Sequence, residues 1–343
     1  MEPKIKLLIL FCALLFPFAQ NVHGVQSLPD DMHTMAQRTL DLVFREDFRA
    51  AEEEARKIVR AYPDHPAGYF FQAVVADAWM LRFQNPRREA EFHRFCDQAV
   101  ERAERMLAQN PKDEWARFFL GAADGLRGTY EARYERWVTA FRHGWKGVSV
   151  FLRMASDNVR IADIDFGIGT YDYWRSALTR LLWFMPGVPD KRAEGITKLR
   201  NAMNNGLYSR TAAAMVLVDI FDNEGRHQDA LNISDRKAQQ YPRALVFQWG
   251  RARALHGLNR HDEAITAYQQ ILKRVEADPN TNHYNAVVSR MGMAKSMAAL
   301  GRNQEALEQI EAMNAYTLSR DIRRRLESVF TEANTLRRRL GRS

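Results

Sequence analysis

The sequence predicts an all-α chain built as a solenoid, with short antiparallel helix pairs stacked one on the next. Three observations carry that expectation. Matching stretches recur 34 residues apart, Gly225-Arg226-His227-Gln228-Asp229-Ala230-Leu231 and Asn259-Arg260-His261-Asp262-Glu263-Ala264-Ile265. A small residue stands twelve places ahead of a proline in Ala51–Pro63, Ala99–Pro111 and Ala230–Pro242. Between such marks the apolar residues fall at helical spacing, and Asn, Gly and Pro interrupt the runs. A 34-residue period suits two short helices with their turns. At the closest crossing of the two helices a small residue is selected for backbone distance, since a large one would overpack at a cost of about 1–3 kcal/mol.

In chain order, Lys4 and Lys6 precede an apolar run from Leu7 to Ala19 and then Val22-His23-Gly24. This is the pattern of a secretory signal peptide over residues 1–24, because a run of about 13 residues falls short of the ~20 a membrane span needs. Without it the formal charge of +8 becomes about +7, and Cys96 is the one remaining thiol, so stability must come from packing and not from an internal disulfide. Residues 25–143 read as N-terminal repeats. A weakly patterned first helix precedes a run from Phe48 that closes at Tyr62-Pro63, followed by Ala67–Phe83 and a run from Arg88 to Gln109. Proline suits these closing positions because it cannot continue a helix and restrains the residue before it. The next pair begins at Trp115, with its turn expected near Gly128-Thr129-Tyr130; Arg133 stands where a small residue belongs, so this pair should be splayed.

Over residues 144–206 the period fails. A long helix of about 25 residues is expected to lead from Ile161 to the Pro186-Gly187-Val188-Pro189 loop, and a helix from Asp190 follows with Gly195 in the small slot. Regular spacing returns over 207–314, where Ala252–Ala264 and Ala294–Ala306 keep the same twelve-residue interval. Residues 315–343 read as a basic capping helix, because the last turn of a solenoid shows a polar face to water.

The spacing, the small slot and the closing prolines resemble the tetratricopeptide repeat (TPR) family. The resemblance implies a right-handed α-solenoid of stacked TPR-like helix pairs, here six or seven of them in an exported bacterial member. It also implies binding of a peptide or protein partner and brings no catalytic residue.

The residues themselves point away from chemistry. His93 and Cys96 lie three apart without a third ligand and no His-Glu-x-x-His pattern occurs, so neither a metal nor another cofactor is expected. There is no Gly-x-Ser-x-Gly elbow, and Gly167-Ile168-Gly169 lacks the third glycine of a dinucleotide loop. Two regions remain as candidate contacts. One is a groove lined by Tyr171, Tyr173 and Trp174 beside Asp163 and Asp165, where glycines and rings crowd a stretch that breaks the repeat. The other is a basic face of Arg323, Arg324, Arg325, Arg337, Arg338 and Arg339, in a segment with eight arginines against three acids over 320–343. These features lead us to expect a non-catalytic scaffold or adaptor mediating protein–protein interaction in the cell envelope, exported to the periplasm, with an anionic envelope surface as a further contact and no nucleic-acid partner. The alternative is a periplasmic binding or carrier protein for an anionic lipid or glycan.

Overall fold

The computed structural model describes residues 28–181 and 189–341, with the side chains of 178–181 left aside. The signal-peptide segment and residues 186–188 of the proline loop lie outside the described residues. Of the described residues 81% are helical, and the 16 helices among them pack in consecutive pairs with no strand. The pairs are α1 (Asp30–Phe44) with α2 (Phe48–Ala61), α3 (Pro66–Phe83) with α4 (Glu89–Gln109), α5 (Glu114–Arg133) with α6 (Trp137–Ser156), and α7 (Ile164–Leu181) with α8 (Arg192–Asn205). They continue as α9 (Arg210–Asn223) with α10 (His227–Gln240), α11 (Leu245–Gly257) with α12 (His261–Glu276), and α13 (Tyr284–Ala299) with α14 (Asn303–Asn314). The basic end is two pieces, α15 (Arg320–Arg325) and α16 (Glu327–Leu340), which meet at Leu326 where one helix was expected.

The repeat chemistry behaves as its spacing demands. Ala51, Ala99, Ala230, Ala264 and Ala306 are fully buried, which fits a slot chosen for close backbone approach. In most pairs the turn between the two helices places one residue in the left-handed region, among them Gly225, Asn259 and Gly301. Glycine adopts that conformation without a Cβ penalty, whereas a glutamate there, as at Glu46 and Glu135, costs about 1–2 kcal/mol. Helix starts are capped by side chains: Asp47 accepts from the Ala50 N–H, Asp113 from Ala116 at 2.8 Å and Ser319 from Ile322.

Two expectations are corrected in the middle of the chain. Helix α5 runs through Gly128 to Arg133, and α6 runs through Gly144, so the boundary at 143/144 falls inside a helix. The α5–α6 pair is also not splayed. A Cβ on Gly147 would lie 2.6 Å from the Gly121 carbonyl oxygen and 2.7 Å from the Gly125 nitrogen, and one on Gly128 would lie 2.8 Å from the Gly144 nitrogen. The small residues that close this pair are therefore the glycines of a seam, and Arg133 lies outside it, pairing with Asp77 at 2.7 Å. The glycines of α7 answer to contact as well. Gly169 leaves room for the Gly195 carbonyl of α8, and Gly167 for the Phe151 ring.

The stack curves until its two halves meet. Phe44 at the end of α1 lies against Tyr241 and Phe247, with ring centroids at 5.6 and 6.3 Å. Beside it the Glu46 carboxylate accepts from Arg82 Nε at 2.8 Å, from the Leu245 N–H at 2.7 Å and from Arg274 Nη2 at 3.2 Å, and Arg82 also reaches Asp278 at 3.4 Å. The end of α3 is held in the same way. Asn285 donates to the Arg82 carbonyl, while Asn282 and Arg325 donate to the Gln84 carbonyl.

Curvature this tight turns the inner face into core. The Tyr208 ring, just ahead of α9, touches His33 of α1, Phe71 of α3 and Trp115, Phe118 and Phe119 of α5, with centroids 5.4–6.5 Å away. Tyr208 is itself buried, and its hydroxyl meets His33 Nδ1 at 2.9 Å. Burial pushes its ionisation well above the usual tyrosine range. Rings of α1, α3 and α5 and of the turn ahead of α9 thus fill this part of the interior.

Candidate interaction surfaces

The five residues of the expected groove are not brought to one surface. Asp163 is buried, and its carboxylate accepts from the N–H groups of Leu207, Tyr208 and Ser209 at 2.6–2.8 Å and from the Ser209 hydroxyl at 2.7 Å. It holds the turn into α9, because helix-start N–H groups lack an intrahelical partner. Asp165 accepts from Asn201 at 2.6 Å and so ties α7 to α8. On α7 successive side chains turn by about 100°, so Tyr173 lies opposite Tyr171 while Trp174 lies within about 60° of it. Accordingly Tyr173 is fully buried with its hydroxyl toward Asn223, while Trp174 opens to solvent and Tyr171 is half-buried.

What Tyr171 does face is α6. Its ring lies 6.4 Å from Phe141 and 6.0 Å from Trp145. These belong to an apolar stripe in which Val138 is 87%, Phe141 61%, Trp137 53% and Trp145 50% exposed. Leu152 continues it one turn before the end of the helix. The opposite side of α6, carrying Ala140, Gly147, Phe151 and Met154, is buried. The signal for this surface was present in the spacing: Trp137, Phe141 and Trp145 recur every four residues while Ala140, Gly144, Gly147 and Phe151 mark a second stripe. One helix with two apolar faces has more than a single core can cover.

The basic face also divides. Arg325 is drawn inward, donating to the Gln84 carbonyl at 2.8 Å and the Gln84 Oε1 at 2.5 Å between the rings of Tyr134 and Tyr284, so it belongs to the closure and not to an open face. Arg323 stacks on Phe330, and Arg324 pairs with Asp321 at 2.8 Å. With Arg320, Glu327, Thr331 and Asn334 these residues line an open groove of about 780 Å³. Arg337, Arg338 and Arg339 are exposed on α16.

A second groove of about 390 Å³ opens between α2 and α4, lined by Arg56, Arg60, Arg94, Tyr69, Phe95 and Gln98 among others. Arg60 pairs with Glu53 at 2.7 Å, whereas Arg94 lies over the Phe95 ring at 5.1 Å. The inner wall is fixed by Arg102, which stacks on Tyr69 at 3.9 Å.

Cys96 is buried and its thiol is pushed up to about 12 by desolvation, the opposite of what a reactive thiolate needs. Its neighbour His93 faces Glu131 and Glu89 at 3.6 and 3.7 Å. Among the described residues no group of three or more His, Cys, Asp or Glu is arranged to hold a metal ion, and no helix is long and apolar enough to cross a membrane.

No family model matches the sequence, and no curated protein matches it. Among solved structures, a tetratricopeptide repeat protein from Parabacteroides merdae is similar at 14% identity and a TM-score of 0.39, over 90% of this chain and 99% of that one. The TPR domain of P58(IPK) is similar at 13% identity and a TM-score of 0.27, over the same shares of both chains. The architecture rests on the chain itself, on buried alanines at repeat spacing and helices packed in consecutive pairs. It is an all-α solenoid of tetratricopeptide-like helix pairs, wound until its two halves meet.

Proposed function

We propose that the protein is a non-catalytic scaffold of the cell envelope that engages partner proteins from the outside of its stack. The observation that carries this reading is the packed interior beside α1, α3 and α5: the rings around Tyr208 fill that stretch of the inner surface and leave a peptide no room there. Open grooves lie on the outside. The one between α2 and α4 sets Arg56, Arg60 and Arg94 beside Tyr69 and Phe95, a combination that suits an acidic segment with an apolar side chain. The secretory pattern of residues 1–24 supports an exported setting. The reading is tested with a photo-crosslinking residue at Gln98 in living cells, in the wild-type chain and in Arg94→Glu. One discrete crosslinked protein, lost in Arg94→Glu, is the expected result. No crosslink, or one indifferent to the charge reversal, would remove the groove reading.

A further inference from the structure

The outward face of α6 is chemically unlike the rest of the surface. The helix contains no Asp or Glu. At about 100° per residue Trp137, Phe141, Leu152, Trp145 and Val138 fall within an arc of about 100°, and Arg142, Arg153 and Lys146 form a narrow second stripe along one edge of it. All of these side chains are exposed. From Trp137 to Trp145 the exposed apolar stripe runs for about 12 Å at ~1.5 Å per residue, and beyond Val148, which falls in the same arc but is buried, Leu152 resumes it. The three basic groups have no carboxylate partner among the described residues, whereas Arg136 just before the helix is paired with Glu89 and Glu131.

The glycine seam explains why this face is spare. Because α5 and α6 meet backbone to backbone at Gly121, Gly125, Gly128 and Gly147, with Phe151 packed over Gly121, the pair closes without calling on Trp137, Phe141 or Trp145. Those side chains therefore project away from the stack. Protein interfaces of this kind usually have a polar rim of mixed character and few lysines at their core. Here the rim is of one sign, and tryptophans stand beside it. That is the pattern of a helix lying in the interface of an anionic bilayer, with rings at the headgroup–acyl boundary and basic groups on lipid phosphates.

We propose that the outer face of α6 seats the protein on an anionic phospholipid bilayer, independently of the α2–α4 groove. The test uses the full chain with vesicles of phosphatidylcholine containing phosphatidylglycerol, against vesicles of phosphatidylcholine alone. The apolar run Leu7–Ala19 is common to every variant, so its own affinity cancels in the comparison. A dye sensitive to polarity, placed at position 138 by Val138→Cys in a Cys12→Ser background, reports the face directly, with Arg338→Cys as the control position. Anionic vesicles should shift the dye at 138 to the blue and leave the one at 338 unchanged. Arg142→Gln with Lys146→Gln and Arg153→Gln should weaken vesicle binding roughly a hundredfold, at about fivefold per basic residue. Trp137→Ala with Phe141→Ala and Trp145→Ala should abolish the blue shift while the thermal midpoint stays that of the wild type. A dye at 138 that stays in water on bound vesicles, or binding that ignores both triple variants, overturns the proposal. So does a wild-type dimer that the aromatic triple variant converts to monomer, because a second copy would then cover the face.

Discussion

Replacing Glu46 with alanine should loosen the contact that closes the solenoid, and its magnitude follows from the groups left behind. The Glu46 and Arg82 side chains are 10% and 9% exposed, and removing one partner of a buried ion pair costs about 3–5 kcal/mol. Part of that loss is offset, because Arg82 keeps Asp278 at 3.4 Å and Arg274 keeps the Arg243 carbonyl at 2.6 Å. The Leu245 N–H at the start of α11 loses its acceptor, which adds about 1–3 kcal/mol if it stays dry. Alanine inherits the left-handed backbone at φ 59° and relieves nothing there. The two terms together span about 4–8 kcal/mol before the offset, so a loss of at least about 3 kcal/mol is expected. Glu46→Gly loses the same carboxylate but recovers about 1 kcal/mol at the turn, so it should fall between Glu46→Ala and the wild type. Urea unfolding gives the free energies, and small-angle scattering gives the radius of gyration, which should rise as the halves part. An unfolding midpoint and radius of gyration equal to the wild type in Glu46→Ala would refute the reasoning.

Three further outcomes follow from the geometry. Asp163→Ala should destabilise by about 3 kcal/mol or more, since three buried or half-buried N–H groups and a hydroxyl lose one acceptor, and Asp163→Asn should recover part of it; chemical denaturation checks both. Gly147→Ala should cost about 1–3 kcal/mol and lower the melting temperature, because its Cβ would meet backbone atoms of α5 that cannot swing away; calorimetry showing an unchanged or raised midpoint would contradict the seam. Desolvation holds His65 down to about 4, and its Nδ1 accepts from the Ala67 N–H at the start of α3. The neutral ring is the folded form, so between its unfolded value near ~6.5 and about 4 the unfolded chain binds the extra proton. Stability should therefore be fully present above about pH 6.5 and fall as pH drops toward 4. His65→Asn keeps a cap acceptor and should flatten that stretch of the curve, as denaturation at several pH values would reveal.

Much of the fold could be read from short-range marks. Ala230 and Ala264 at a 34-residue interval, and Ala51 and Ala99 twelve residues before their prolines, depend on neighbours within one repeat, and each proved fully buried. The reading slipped where several residues could serve one purpose. At α5 and α6 the repeat interval puts Arg133 in the small slot, while the actual contact is shared among Gly121, Gly125, Gly128, Gly144 and Gly147. The candidate site fared differently. Crowded rings and glycines between Asp163 and Trp174 did mark a junction, yet Asp163 caps α9, Tyr173 is buried, and of the three rings only Tyr171 and Trp174 reach the surface side. The larger exposed patch, Trp137, Val138, Phe141 and Trp145, lay one helix earlier.

Periodicity, capping and turn residues act over a few positions along the chain, and they were enough to define most of the helices, their pairing and the solenoid class. The curvature is another matter, since it accumulates from small rotations at every interface. Only the assembled structure brings Glu46 to Arg274, Gln84 to Arg325 and Tyr208 to the rings of α1, α3 and α5, pairs separated by roughly 90 to 240 positions. That closure decides which apolar residues of the inner face become core, and the glycine seam decides which residues of α6 remain outside. Burial is a property of the whole arrangement, and no local pattern distinguishes two apolar faces of one helix until their neighbours are in place.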